Sequence, residues 1–141
     1  MRERMVRLAL VGVGVATACG GGQPAREPIR VEITEPASGA VVAGPNVRVV
    51  LAASGIAIGP AGVDSNAAHH HLFLDTEPTP DGQPIPAGVP GVVHLGQGQT
   101  EHVFEGLAPG EHRVIAVLAD WVHVPLAPPV HDTVDFSVRT P

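Results

Sequence analysis

Histidine gives this chain its clearest means of doing chemistry. The sequence has eight histidines, and three of them are consecutive, at His69–His71. Neutral imidazole is the commonest metal ligand because its nitrogen lone pair is available near neutral pH. Three or four imidazoles near one point suit Zn²⁺ or Cu²⁺. The predicted ligands are His69, His71, His94 and His123, and Asp120 is the predicted carboxylate that orients one imidazole. His70 and His131 are further candidate ligands.

Short strands must position these histidines. Runs rich in valine and isoleucine, separated by glycine and proline, predict strands and give no helical period. The predicted strands are 29–34, 47–52, 69–75, 92–95, 101–105, 112–120 and 133–139, with a minor strand at 40–42 and long linkers at 54–68 and 76–91. About seven short strands in about 110 residues are typical of an immunoglobulin-like β-sandwich. We therefore predict an all-β domain over residues 29–141.

Strand direction predicts that the histidines meet. In this topology the strand that begins at His69 lies beside the strand that ends at Asp120, so these residues should share one pole of the sandwich. His69 and His71 should point to the same side, because side chains two apart on a strand share a face. His112 follows a Leu-Ala-Pro-Gly turn at the opposite pole, where related domains place the tyrosine of a tyrosine corner. We predict that His112 is structural.

The first residues have the pattern of an export signal. An arginine-rich start, an apolar stretch at 8–15 and the small residues Ala16–Ala18 precede Cys19, the only cysteine. This order predicts a signal peptide at 1–18, lipid attachment at Cys19 and a flexible tether at 19–28. The protein should then be anchored at the periplasmic face of the outer membrane or at the outer cell surface. The alternative is a soluble secreted protein cut after Ala18.

Composition excludes some partners and favours some metals. The formal net charge is −6 and the chain has no lysine, so nucleic acid is not an expected partner. Both methionines, like Cys19, lie within the first 19 residues. The predicted domain therefore lacks the soft sulfur ligands that copper(I) prefers, and a divalent ion is expected. The sequence indicates no particular protein partner.

Two other interpretations of the histidines stay open. They can serve as hydrogen-bonded scaffolding in a structural or protein-interaction lipoprotein that binds no metal. Alternatively, a metal with an open coordination position would make the protein an enzyme. The sequence assigns no catalytic residue, and binding or delivery of a metal is the expected function.

Ordered motifs along the domain resemble a known family. The segments HHHLFLD (69–75), PIPAG (84–88), HLGQGQTE (94–101), LAPGEH (107–112) and LADWVHVPLAPPV (118–130) occur in this order. Together they are similar to the bacterial family called domain of unknown function 4399. The resemblance implies an exported small β domain and supplies no function. Members often carry a second histidine shortly after the one that matches His123, and Leu126 stands there in this chain.

Overall fold

The computed structural model describes residues 25–140, all of them in strands, turns and connecting segments. The predicted signal peptide and Cys19 lie outside the described residues. Within the described range, no helix has the length and apolar character needed to cross a bilayer. The strands are β1 (Arg30–Glu35), β2 (Val41–Ala43), β3 (Val47–Ser54), β4 (Ala57–Ile58), β5 (Ala67–Leu74), β6 (Val92–Leu95), β7 (Glu101–Phe104), β8 (Gly110–Ala119) and β9 (His131–Arg139).

The strands form two sheets. The smaller sheet has the order β1-β3-β7, and the larger has the order β2-β9-β8-β5-β4, with β6 also paired to β5. The neighbouring strands β5, β8 and β9 have the order of strands C, F and G in one sheet of immunoglobulin-like sandwiches. The predicted all-β sandwich is therefore confirmed. The described strands exceed the seven principal ones predicted, because the minor strand forms as β2 and the two-residue β4 forms inside the predicted linker 54–68.

The main core lies between the two sheets. Strands β3 and β9 alternate buried and more exposed positions, as expected for strands with one face in the core. Val49, Leu72 and Leu118 are completely buried there. Burying a side chain of this size stabilises a fold by about 1.5–3 kcal/mol. This core fixes the larger sheet, which carries the histidines.

A second, smaller core covers the outer face of the larger sheet. Phe73, Ile115 and Val117 belong to it, and Ile85 packs on them from the loop between β5 and β6. Strand β5 is consequently buried on both faces, apart from its last residue. The 76–91 loop is thus a cover for the sheet. Its Ile85 N–H donates to the carbonyl of His123, with N and O 2.8 Å apart.

Candidate metal centre

Three elements bring four histidines to the outer face of the larger sheet. His71 on β5 and His94 on β6 are direct cross-strand partners. His69 pairs in register with Ala119 at the end of β8, and His123 lies in the loop that follows β8. The pairing of β5 with β6 and β8 is thus what gathers residues that are distant in sequence. The site lies on the outer face of the larger sheet near one end of the sandwich, with His69 buried, His123 half-buried and His94 exposed, whereas the prediction placed it at the pole.

The imidazoles of His69, His94 and His123 form a compact triad. One nitrogen from each ring lies within 4.8 Å of the others. The closest pair is His94 Nε2 and His123 Nε2, which are 3.2 Å apart. Ligands bound tetrahedrally at 2.0–2.1 Å from a zinc ion are about 3.3–3.4 Å from one another. The closest pair already has this spacing, and a separation of 4.8 Å would have to shrink by about 1.4–1.5 Å.

His71 lies beside the triad. Its ring stacks on that of His94, with centroids 4.9 Å apart and planes at 17°, and its centroid is 4.8 Å from that of His69. The structure therefore places all four predicted ligands together, but only three of them have nitrogens gathered around one point. His71 stacks on His94 because the two residues are directly opposite in register, which aligns their rings side by side.

Buried imidazole nitrogens in this cluster lack partners. His69 and His71 are each only 1% exposed. Nε2 of His69 and Nδ1 of His71 are buried and make no hydrogen bond. A buried polar atom without a partner costs about 1–3 kcal/mol, so native proteins rarely keep one without a reason. A bound ion or ligand would supply the interaction that His69 or His71 lacks.

Burial and mutual repulsion keep these rings neutral. Burial lowers the pKa of His69 to about 4, and electrostatic repulsion from the rings of His94 and His123 contributes to this shift. Burial, followed by the effect of His69, lowers the pKa of His71 to about 3. The pKa of His94 is lowered as well, first by burial and then by His123. Neutral rings at physiological pH leave lone pairs free for a cation, whereas charged rings would repel it.

Asp120 acts through the backbone. Its Oδ1 accepts hydrogen bonds from the N–H groups of Val122 and Val124, at 3.0 and 2.9 Å. These bonds close a tight loop that holds His123 at φ 71°, in the left-handed region. The prediction made Asp120 a direct partner of an imidazole, but within residues 25–140 its hydrogen bonds go to the loop. Aspartate favours such turns because its short side chain reaches the N–H groups that follow it.

The remaining predicted histidines lie elsewhere. His70 points into the inter-sheet core, where its Nδ1–H donates to the Gln99 carbonyl. His131 is exposed at the start of β9. At the opposite end of the sandwich, Nε2–H of His112 donates to the Ala108 carbonyl at 2.8 Å, and Nδ1–H donates to Asp75 at 2.7 Å. His112 therefore ties its strand to the preceding turn, which is the structural role predicted for it.

A small cleft opens onto the cluster. It has a volume of about 190 Å³ and is lined by His71, His94, His123, Pro84, Ile85, Pro86, Ala87 and Val122. The PIPAG segment of the covering loop thus forms one wall and the histidines form the floor. Reasoning from the sequence missed Ile85 as a lining residue. It also missed Gly96, whose missing side chain leaves room for the ring of His94. The motif resemblance contained both segments but did not indicate their contacts.

The chain belongs to a family of domains of unknown function. Residues 49–139 match the family described as domain of unknown function DUF4399, which confirms the predicted membership. No match was found among curated proteins. Among solved structures, the chain is similar to an engineered protein from the Northeast Structural Genomics Consortium, with 14% identity and a TM-score of 0.50. The match covers 82% of this chain but only 21% of that one, and it bears on the fold alone.

Proposed function

We propose that this protein binds one divalent transition metal ion, zinc or copper(II), through His69, His94 and His123. The observation that carries the proposal is the meeting of three imidazole nitrogens within 4.8 Å on the outer face of the larger sheet. Two further observations support the proposal: the pKa of His69 is lowered, and its buried Nε2 has no hydrogen-bond partner. A bound ion would use lone pairs that have no other partner. The function is binding or delivery of the ion, and no catalytic step is assigned.

The other interpretation of the cluster is scaffolding. The 3.2 Å separation of His94 Nε2 and His123 Nε2 is also a hydrogen-bond length, in which one ring donates its N–H to the other. In that case the histidines would hold the 120–124 loop against β6 without any ion. The two interpretations differ in whether the protein binds added metal and gains folding stability from it.

Isothermal titration calorimetry with Zn²⁺ and Cu²⁺ tests the proposal directly. We expect one ion per chain in the wild type. His94→Ala and His123→Ala remove side chains that lie outside the main core, and each should weaken binding by more than about a hundredfold. Loss of an outer partner of a ligand already costs about 10–100-fold. His131→Ala removes an exposed imidazole outside the cluster and should leave the affinity unchanged.

Two results would contradict metal binding. One is the absence of any heat or stoichiometric uptake with either ion. The other is equal affinity in the wild type, His94→Ala and His123→Ala, which would mean that the ion binds elsewhere. Scaffolding would instead be supported if His94→Ala lowered the free energy of unfolding while metal had no effect. A true site should add about 2.7 kcal/mol of stability at a metal concentration of 100 Kd.

We also propose that the protein is exported and anchored by lipid at Cys19, as the order of charged, apolar and small residues before that cysteine suggests. Cys19→Ser should move the protein from the membrane fraction to the soluble exported fraction. Equal distribution of both forms in fractionated cells would contradict the anchor. The metal proposal does not depend on this outcome.

A further inference from the structure

We propose that the ion held by His69, His94 and His123 keeps one coordination position open toward the 190 Å³ cleft, and that this position takes a small monodentate anion. The inference rests on the proposed metal site and specifies its ligand. Three imidazoles leave a divalent ion one position short of tetrahedral coordination, as in sites that keep an exchangeable ligand. The cleft lies against two of the three ligands, His94 and His123.

The size of the cleft suits a small ligand. Since a water molecule occupies about 30 Å³ of liquid, 190 Å³ corresponds to about six waters. A ligand of about six non-hydrogen atoms would therefore fill the cleft. The wall formed by Pro84, Ile85 and Pro86 is anchored by the hydrogen bond from Ile85 N–H to the His123 carbonyl. This link ties the wall directly to a proposed metal ligand.

The charge of the metal complex favours an anion as the ligand at the open position. Three neutral imidazoles bring no negative charge to a divalent ion, so the complex would carry two positive charges. The cleft lining contains no aspartate or glutamate, and apart from the histidines it consists of proline, isoleucine, alanine and valine. A charge that the lining does not compensate is costly beside apolar surface, and an anion from solution would neutralise part of it, in addition to the charge of Asp120, which acts on His69. Small carboxylates and pseudohalides have the required size and charge.

His71 supports a ligand at this position. It lines the cleft, is 1% exposed, and its Nδ1 has no hydrogen-bond partner. Its ring nitrogens lie outside the triad that gathers around one point. His71 therefore adds a fourth imidazole to the wall beside the open position, although its Nδ1 itself is out of reach of solvent.

Azide binding to the copper(II)-loaded protein tests the inference. Azide bound to copper(II) gives a charge-transfer absorption band, so its affinity can be titrated optically. Ala87→Trp fills the cleft from its exposed rim, while Val89→Trp adds the same bulk to the same loop at a residue outside the lining. We expect azide to bind the wild type and Val89→Trp, and to bind Ala87→Trp at least tenfold more weakly. Copper affinity should stay within about threefold in all three.

The possible failures are distinguishable. Failure of the wild type to bind either copper(II) or zinc would overturn the proposed function itself. Copper binding without any azide band would mean a closed coordination sphere, for example with His71 as the fourth ligand, and would overturn only the open position. Equal azide affinity in Ala87→Trp and Val89→Trp would place the anion outside the cleft and would also overturn the inference. If zinc binds and copper does not, cobalt(II) replaces zinc and its visible spectrum reports the same titration.

Discussion

The imidazole of His94 lies directly over the α-carbon of Gly96, in the space that a side chain at residue 96 would fill. A Cβ built on Gly96 would overlap Cε1 and Nε2 of the His94 ring, and its distance to Nδ1 would be 3.0 Å. Gly96 thus allows His94 to fold back toward His123 and His69. Its backbone is not in the left-handed region, so the glycine is required by space alone.

Gly96→Ala should therefore displace the His94 ring and weaken metal binding by at least tenfold. The fold itself should be little affected, because the backbone conformation suits alanine. Calorimetric titration measures the affinity, and urea unfolding measures the stability. Gly59→Ala is the matched control, since its Cβ would only touch that of Ala67 at 3.4 Å. Equal metal affinity in the two variants would contradict a spatial role for Gly96.

Asp120 should control the position of His123. Asp120→Ala removes the acceptor for two backbone N–H groups, and we expect it to cost about 1–3 kcal/mol of folding stability together with a clear loss of metal affinity. Asp120→Asn keeps an oxygen that can accept the same bonds and should restore most of both properties. The comparison uses urea unfolding and metal titration. If asparagine were as damaging to metal affinity as alanine, the charge of Asp120 rather than its hydrogen bonds would matter.

Alternation along strands was enough to predict part of this site. The period of two correctly separates His69 and His71 from His70, which donates to Gln99 on the other side of the sheet. The pairing of the His69 strand with the strand before Asp120 followed from the predicted topology. The burial of the outer face did not, because it depends on Ile85, which reaches the sheet from a proline-rich loop without strand or helix pattern.

The finer geometry depends on side-chain conformations that a sequence does not specify. Both His71 and His94 were predicted as ligands, but their stacking turns only His94 toward His123. The hydrogen bonds that Asp120 makes depend on conformation in the same way. A carboxylate beside histidines predicts an imidazole partner, while its use in a tight turn becomes visible only when the loop conformation is known.

At the other end of the sandwich, the stability contributed by His112 should depend on pH. Burial opposes the charged ring, but the hydrogen bonds to Ala108 and Asp75 and the charges of Asp75 and Glu111 outweigh it and raise the pKa of His112. A raised pKa in the folded state means that this stability is complete below the unfolded pKa of about 6.5 and is lost as the pH rises through the folded pKa.

His112→Gln, which carries no titratable group, provides the comparison. Urea unfolding at about pH 5.5 and about pH 8.5 brackets the usual imidazole pKa of about 6.5. The stability difference between the wild type and His112→Gln should be larger at the lower pH. If this stability difference stayed constant or grew with pH, the pKa of His112 in the folded protein would not be higher than in the unfolded chain.

The left-handed backbone of His123 should cost folding stability. A side chain held at φ 71° costs about 1–2 kcal/mol relative to ordinary conformations, and glycine avoids this cost. In the absence of metal, His123→Gly should therefore be about 1 kcal/mol more stable than His123→Ala, while neither variant binds the ion. At His131, which is in an ordinary strand, the order should reverse, because glycine weakens strands. Urea unfolding of the four variants measures both comparisons. If alanine were the more stable substitution at both positions, the loop would hold His123 without strain, and the left-handed conformation would not be a feature kept for binding.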